Sequence, residues 1–221
     1  MRRSFFLATV IALFCLSCAA QAVTISYTQS VPVSLTNWTS VLAFQQFDPT
    51  LGTLNSITFS MTSSCEGQGF AENMSTMSGS SFSWELSALV QLKRPDNSVL
   101  LQIQPFETSP IYNLGVYDGA MNFTGASGVT DPLNASDTVS LTTPPPVDDL
   151  ALFTGIGSVD LTATATAKSK VVGGGNIAMG ASTKAGVGAT ITYDYTPVPE
   201  PGSLVALLSG LGGLILHRRR K

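Results

Sequence analysis

The chain of 221 residues contains one histidine, His217, and it stands among the last five residues. A Ser-His-Asp or Cys-His arrangement in the rest of the chain is thereby excluded, and so is a histidine-ligated zinc or copper site. Cysteine is almost as scarce. Cys15 and Cys18 fall in the N-terminal segment, which leaves Cys65 without an intramolecular partner. Its simplest role is that of a small buried apolar residue in a strand, with an intermolecular bridge or a reactive thiol as the alternatives. Charged residues make up only 11% of the chain. No glycine-rich loop is followed by Lys-Ser or Lys-Thr, so a phosphate cradle is missing too, and Gly173-Gly174-Gly175 reads as a flexible turn. Ahead of the last 24 residues no segment has a 3.6-residue period, which leaves an all-β class.

Two segments at the ends of the chain are of a different character. Met1-Arg2-Arg3, the apolar stretch from Phe5 to Leu16 and the small-x-small triplet Ala20-Gln21-Ala22 form a secretory signal peptide over residues 1–22, with the mature chain starting at Val23. Cys18 raises a lipoprotein alternative, but Cys15-Leu16-Ser17 in front of it fits a lipobox poorly. At the other end, Ser203–Leu216 carries no charge over 14 positions and is followed by His217 and then Arg218, Arg219, Arg220 and Lys221. As a helix it would be about 21 Å long, short for a bilayer core of about 30 Å. A buried core helix is the alternative for that length. The basic block favours a single transmembrane helix instead, with Arg218–Lys221 as its cytoplasmic stop. Everything before Pro199 then lies outside the membrane.

Val198-Pro199-Glu200-Pro201, the short apolar helix with Gly210, Gly212 and Gly213, and the terminal basic cluster stand in this order at the chain end. Together, over residues 198–221, they resemble the PEP-CTERM sorting signal. The resemblance implies recognition of Pro199-Glu200-Pro201 by a membrane-embedded exosortase, cleavage near the motif, and release or re-anchoring of the body. It further implies a Gram-negative bacterium that makes exopolysaccharide and biofilm. The physical reason for the motif is simpler. Two prolines cannot enter a helix interior, so the stretch before Gly202 stays extended at the membrane edge.

Without its ends, the body from Val23 to Pro197 keeps five Lys and Arg against thirteen acids, a net charge of −8. Nucleic acid is excluded as a partner, since phosphate binding needs clustered cations. About 175 residues suit one domain, and a surface rich in Ser, Thr, Gly and Asn suits an exported β-protein. Val23–Val33, Trp38–Phe47 and Leu54–Thr62 alternate as half-buried strands, the last with an irregularity at Asn55-Ser56. Phe82, Trp84, Leu86, Ala88, Val90 and Leu92 alternate without a break, and Arg94-Pro95-Asp96-Asn97-Ser98 turns the chain into Val99–Ile103. Glu66–Ser80 is expected to be an edge strand and loop, Phe106–Gly119 a broken strand, and Asp118–Asp137 mostly loop. Pro144-Pro145-Pro146 is expected to be a stiff polyproline connector. Val159–Ala167 and Ile177–Tyr195 are expected to form two long antiparallel strands about the Gly173–Asn176 return.

The fold expected is therefore an antiparallel β-sandwich, jelly-roll or Ig-like, over residues 23–197. Leu92-Lys93-Arg94-Pro95-Asp96, the stretch Asp149–Gly157 and the final Thr192-Tyr193-Asp194-Tyr195 resemble the choice-of-anchor E domain of exported bacterial proteins. That resemblance spans much of Val23–Tyr195 and carries no catalytic residues with it.

Carboxylates are the only catalytic material left. A glycosidase needs two of them facing across a cleft, and Glu66, Glu72, Glu85 and Asp118 are the candidates. None has a recognisable partner, so no catalytic residue, cofactor or metal is assigned. Asp148-Asp149 with Asp118, Asp131 or Asp137 lack the spacing of a calcium loop. The sequons at Asn37, Asn73, Asn122 and Asn134 arise readily by chance in so Asn- and Ser-rich a chain. The reading is a non-enzymatic cell-surface or matrix protein with an adhesive or structural role, whose partners are the exosortase, the inner membrane before processing, and exopolysaccharide or a surface protein. A carbohydrate-binding module is the first alternative, requiring an exposed aromatic row such as Trp38 with Tyr112 or Tyr117. A glycan-cleaving enzyme is the second.

Overall fold

A computed structural model describes residues 22–143 and 147–198. Of the expected segments, the signal peptide as far as residue 21, Pro144-Pro145-Pro146 and the tail from Pro199 lie outside the described residues. The described strands are β1 (Val23–Leu35), β2 (Trp38–Gln45), β3 (Gly52–Asn73), β4 (Ser80–Lys93), β5 (Val99–Ile103), β6 (Phe106–Thr108), β7 (Tyr112–Leu114), β8 (Gly128–Thr143), β9 (Ser158–Ala167), β10 (Lys170–Gly173) and β11 (Ile177–Pro197). A short helix, α1 (Val147–Phe153), precedes β9.

Two antiparallel sheets face one core. The first has the order β1-β11-β3-β8. The second is centred on β4, with β9 and β10 successively along one edge, β5, β6 and β7 along the other, and β2 outside β9. The unbroken alternation in β4 puts six of its seven apolar residues, Phe82, Trp84, Leu86, Ala88, Val90 and Leu92, into the core, while Leu89 is half-buried on the other face. Ile57, Phe59, Met61 and Cys65 meet them from β3, and Ala185 to Tyr195 meet them from β11. With 22 residues, β3 spans about 70 Å at about 3.3 Å per residue.

Twenty-one β11 residues pair with the 22 of β3, and the leftover residue is Asn55. This bulge is the irregularity visible in the sequence. It returns Leu54 to the core side opposite Tyr195, while the Asn55 amide donates to Asp194 Oδ1 at 2.9 Å and Thr196 Oγ1 at 3.1 Å. On the outer face of the same sheet, hydroxyl pairs replace charges: Ser26–Thr192, Thr28–Thr190, Thr58–Thr142 and Thr62–Thr138, at 2.8–3.0 Å.

Four expectations need correction. Glu66–Asn73 is the second half of β3 and lies inside the sheet between β11 and β8, not at an edge. Its glycines make room for an indole. A Cβ on Gly69 would stand 2.5 Å from Trp84 ring carbons, and one on Gly67 3.1 Å from the same ring and 2.6 Å from Leu86 Cδ1. Residues 128–137 belong to strand β8, whose place at the sheet edge tolerates Pro132. The long strands on either side of Gly173–Asn176 do not form a hairpin, because β9 and β10 pair with β4 while β11 pairs with β3 and β1. Alternation reports one buried face and says nothing about the partner strand. Lastly, α1 is a helix of seven residues, too short to show a period in the sequence.

The Trp84 slot yields a prediction. Gly69→Ala lowers stability by about 1–3 kcal/mol through overpacking. Gly188→Ala, where a Cβ meets nothing within 4 Å, changes it by less than about 0.5 kcal/mol. Urea unfolding midpoints of the two variants, read at equal slope, check the contrast.

Candidate functional site

The described residues with apolar walls and converging polar groups surround a cleft of about 260 Å³ at the end of the sandwich where β1 begins and β11 finishes. It is smaller than the roughly 300–1,000 Å³ of pockets for drug-sized ligands, so it suits one small group. Its floor is Tyr193, fully buried in β11, whose hydroxyl donates to the Gln45 carbonyl at 2.9 Å. Burial, and secondarily Tyr27, pushes the Tyr193 phenol well above the usual range, so it stays neutral. Tyr27 meets it edge-on at 6.1 Å, and Phe47 packs against both Tyr193 and Tyr195 at 5.9 and 5.1 Å.

One wall is the turn after β2. Asp48 caps the 3-10 turn Pro49–Leu51, its Oδ1 accepting the Thr50 N–H at 2.8 Å. The hydrogen bonds from the Thr50 backbone and side chain hold the Asp48 carboxyl below its ordinary range, as a charged acceptor at the cleft mouth. The opposite wall is Gly155-Ile156. Phe47 N–H donates to Phe153 O at 2.8 Å and Gly155 N–H to Phe47 O at 2.9 Å, while Gln46 Nε2 donates to Leu152 O at 2.8 Å. Gly155 has φ of +159°, and a Cβ there would stand 2.5 Å from Gln46 Oε1. The resulting cleft offers one carboxylate, the exposed Gln45 amide and an aromatic edge. It contains neither a nucleophile–base pair nor a second carboxylate.

The carboxylates proposed from sequence do not converge. Glu66 and Glu72 point from the outer face of the first sheet, six residues apart, and Glu85 points from the second sheet on the far side of the core. Glu72 is fully buried beneath the 116–127 loop, its Oε2 accepting the Phe123 N–H at 2.7 Å and the Asn122 N–H at 3.3 Å. Asp118 is exposed in that loop and accepts the Ala120 N–H. The calcium candidates are likewise apart: Asp131 accepts the Trp84 indole N–H at 2.9 Å, Asp137 accepts the Thr138 N–H, and Asp149 binds Arg94. Among the described residues no group of three or more His, Cys, Asp or Glu is placed to hold a metal.

The candidate aromatic row is also dispersed. Trp38 is half-buried on β2, donating its indole N–H to Ala185 O at 3.0 Å, whereas Tyr112 stacks on Phe82 at 6.4 Å on the opposite edge of the sheet. Tyr117 is held in the 116–127 loop by its N–H to Ser75 O. Of the four sequons, Asn73 is fully buried, donating to Ser78 O and Gly115 O.

Two stretches singled out in the sequence do meet. Arg94, in the turn after β4, grips Asp149 of α1 in a bidentate pair, Nε to Oδ1 at 2.6 Å and Nη2 to Oδ2 at 2.7 Å. Asp149 is buried, so loss of the arginine would strand a charge at a cost of about 3–5 kcal/mol. The pair holds α1 against the β4–β5 turn. Of the residues of the sorting motif, Val198 alone is described; its N–H donates to Leu51 O at 3.0 Å. Ala22 precedes β1 and is exposed. Pro199, Glu200, Pro201, Arg218, Arg219, Arg220, Lys221 and Ala20 lie outside the described residues.

No family model matches the chain, and no curated protein matches it. Among solved structures, dimeric latent PorU from Porphyromonas gingivalis is 6% identical, with 79% of this chain aligned to 13% of that one at a TM-score of 0.27. Eiger TNF from S. frugiperda is 9% identical over 80% of this chain and 96% of that one, at a TM-score of 0.24. The infectious bursal disease virus Gx strain is 11% identical over 79% and 37%, at a TM-score of 0.17. The chain thus spans 13% and 37% of the first two solved chains it matches. Likenesses at these scores carry no argument about this chain.

Cys65 lies fully buried in β3, and burial, followed by the nearby Glu66 charge, pushes its thiol up to about 11. The folded state keeps the thiol neutral, while the unfolded thiol titrates near 9.0. Its contribution to stability is therefore whole below pH 9 and is lost as pH rises from 9 through about 11. In a chain starting at Val23 the thiol is silent to a thiol-specific chromogenic reagent at pH 8 and fully titrated in guanidinium. Rapid modification of the folded chain would contradict this burial.

Proposed function

We propose that the protein is an exported, exosortase-processed component of the cell surface or extracellular matrix, with a non-enzymatic adhesive or structural role linked to exopolysaccharide or biofilm. In this reading residues 1–22 are removed as a signal peptide, Ser203–Leu216 is a temporary transmembrane helix, and Val198, Pro199, Glu200 and Pro201 are the processing motif. The jelly-roll or Ig-like connectivity and the likeness to choice-of-anchor E bodies belong to the same proposal. The observation that carries it is a coincidence of boundaries. The first strand starts at Val23, where signal cleavage is expected, and the last ends at Pro197, one residue before the motif. Among the described residues no helix is long and apolar enough to cross a membrane.

Intact mass of the protein from medium and from membranes, with and without the exosortase, tests the reading. A chain beginning at Val23 and truncated near Pro199 only when the exosortase is present is the expected result. Retention of Arg218–Lys221 in both strains would make the tail an ordinary anchor.

A second reading, a carbohydrate-binding module, is favoured by the end cleft rather than by the dispersed aromatic row. Tyr27, Gln45 and Asp48 supply an aromatic edge and planar polar groups of the kind that hold a sugar ring. On a glycan array the purified body would then bind the host exopolysaccharide, and Asp48→Asn would weaken binding about tenfold. An array with no bound glycan sinks this reading.

A further inference from the structure

The end of the sandwich that carries the cleft also carries both ends of the described chain. Val23 pairs with Tyr195, Pro197 pairs with Gly52, and the Val198 N–H is fixed to Leu51 O. Four apolar side chains stand exposed on this end: Ile156 at 85%, Val198 at 59%, Val23 at 42% and Leu51 at 41%. Leu51 and Ile156 form the lips of the cleft. Only Pro199, Glu200, Pro201 and Gly202 separate Val198 from the apolar run that starts at Ser203. Five residue steps reach at most about 17 Å. The headgroup layer takes up roughly 5–7 Å of that. Two prolines further restrict the directions the segment can take.

We infer that, while the tail is in the bilayer, this end of the sandwich rests on the lipid surface, with Ile156, Leu51 and Val198 set into the headgroup boundary. The inference rests on the anchor reading of the tail. Its physical basis is the absence of slack. A domain hydrogen-bonded to its own last residue cannot drift away from a membrane entered five residues later, and the side chains it presents there are apolar. Exposed apolar groups gain by moving from water into the interface. Asp48, the carboxylate at the cleft mouth, keeps its Thr50 hydrogen bonds and stays among the headgroups. The cleft is then covered before processing and uncovered by release.

The test uses the chain from Val23 to Lys221, whose single cysteine, Cys65, is buried and stays unlabelled. Ile156→Cys, Met77→Cys and Ser209→Cys are each labelled with an environment-sensitive fluorophore. Met77 is 91% exposed at the opposite end, in the turn between β3 and β4. The chains are reconstituted in phosphatidylethanolamine–phosphatidylglycerol vesicles containing spin-labelled lipid. The label at 209 should be quenched by deep acyl spin labels. The label at 156 should be quenched by headgroup-level spin labels about threefold more than that at 77. Equal quenching at 156 and 77, with 209 quenched, overturns the inference and leaves the anchor reading standing. An unquenched label at 209 overturns both.

Discussion

The structure hangs on the ladder between β3 and β11. These strands lie more than a hundred residues apart in the chain, yet every residue of β11 is paired. Closing so long a loop costs chain entropy, which must be recovered along the ladder and across the core face it creates. The apolar residues of β3 and β11 supply that face and press against β4. The same ladder gives the sandwich its length and brings the end of β11 beside Gly52, so that Leu51 can hold Val198.

Sparse charge is met by three devices in this fold. Hydroxyl pairs cover the outer face of the first sheet. Their polar atoms are satisfied across strands without the entropy cost of holding long charged side chains. Carboxyl groups that are buried or half-buried are hydrogen-bonded to the chain around them: Glu72 through Oε2 to loop N–H groups, Asp131 to an indole, and Asp149 to a guanidinium. The single ion pair among the described residues is accordingly a partly buried bidentate one. Finally, glycine is placed where a large side chain needs the space, as Gly67 and Gly69 are against Trp84.

Much of this was legible in residue order. The alternation of β4, the β4–β5 turn, the bulge at Asn55 and the burial of Cys65 all follow from side-chain periodicity, because a strand with one buried face repeats every two residues. Glu66–Asn73 and Gly128–Asp137 were obscured for opposite reasons. The first has glycine where the facing strand supplies the bulk, and the second has polar residues because it lies at an edge. The cleft was invisible because its residues, Tyr27, Gln45, Asp48, Leu51, Ile156 and Tyr193, come from four distant segments. Each alone looks like an ordinary strand or turn residue.

The sequence by itself determined the all-β class, the acidic, histidine-free composition of residues 23–197, and the identity of their inward-facing residues, since these depend on local chemistry and a period of two. Only the tertiary structure decided which strands share a sheet, that Gly173–Asn176 crosses between sheets, that Arg94 meets Asp149, and that Val23, Val198 and the cleft share one end. Those are long-range pairings. Nothing in a strand's own residues names its partner; the choice is made by the register in which all the apolar faces can be buried together.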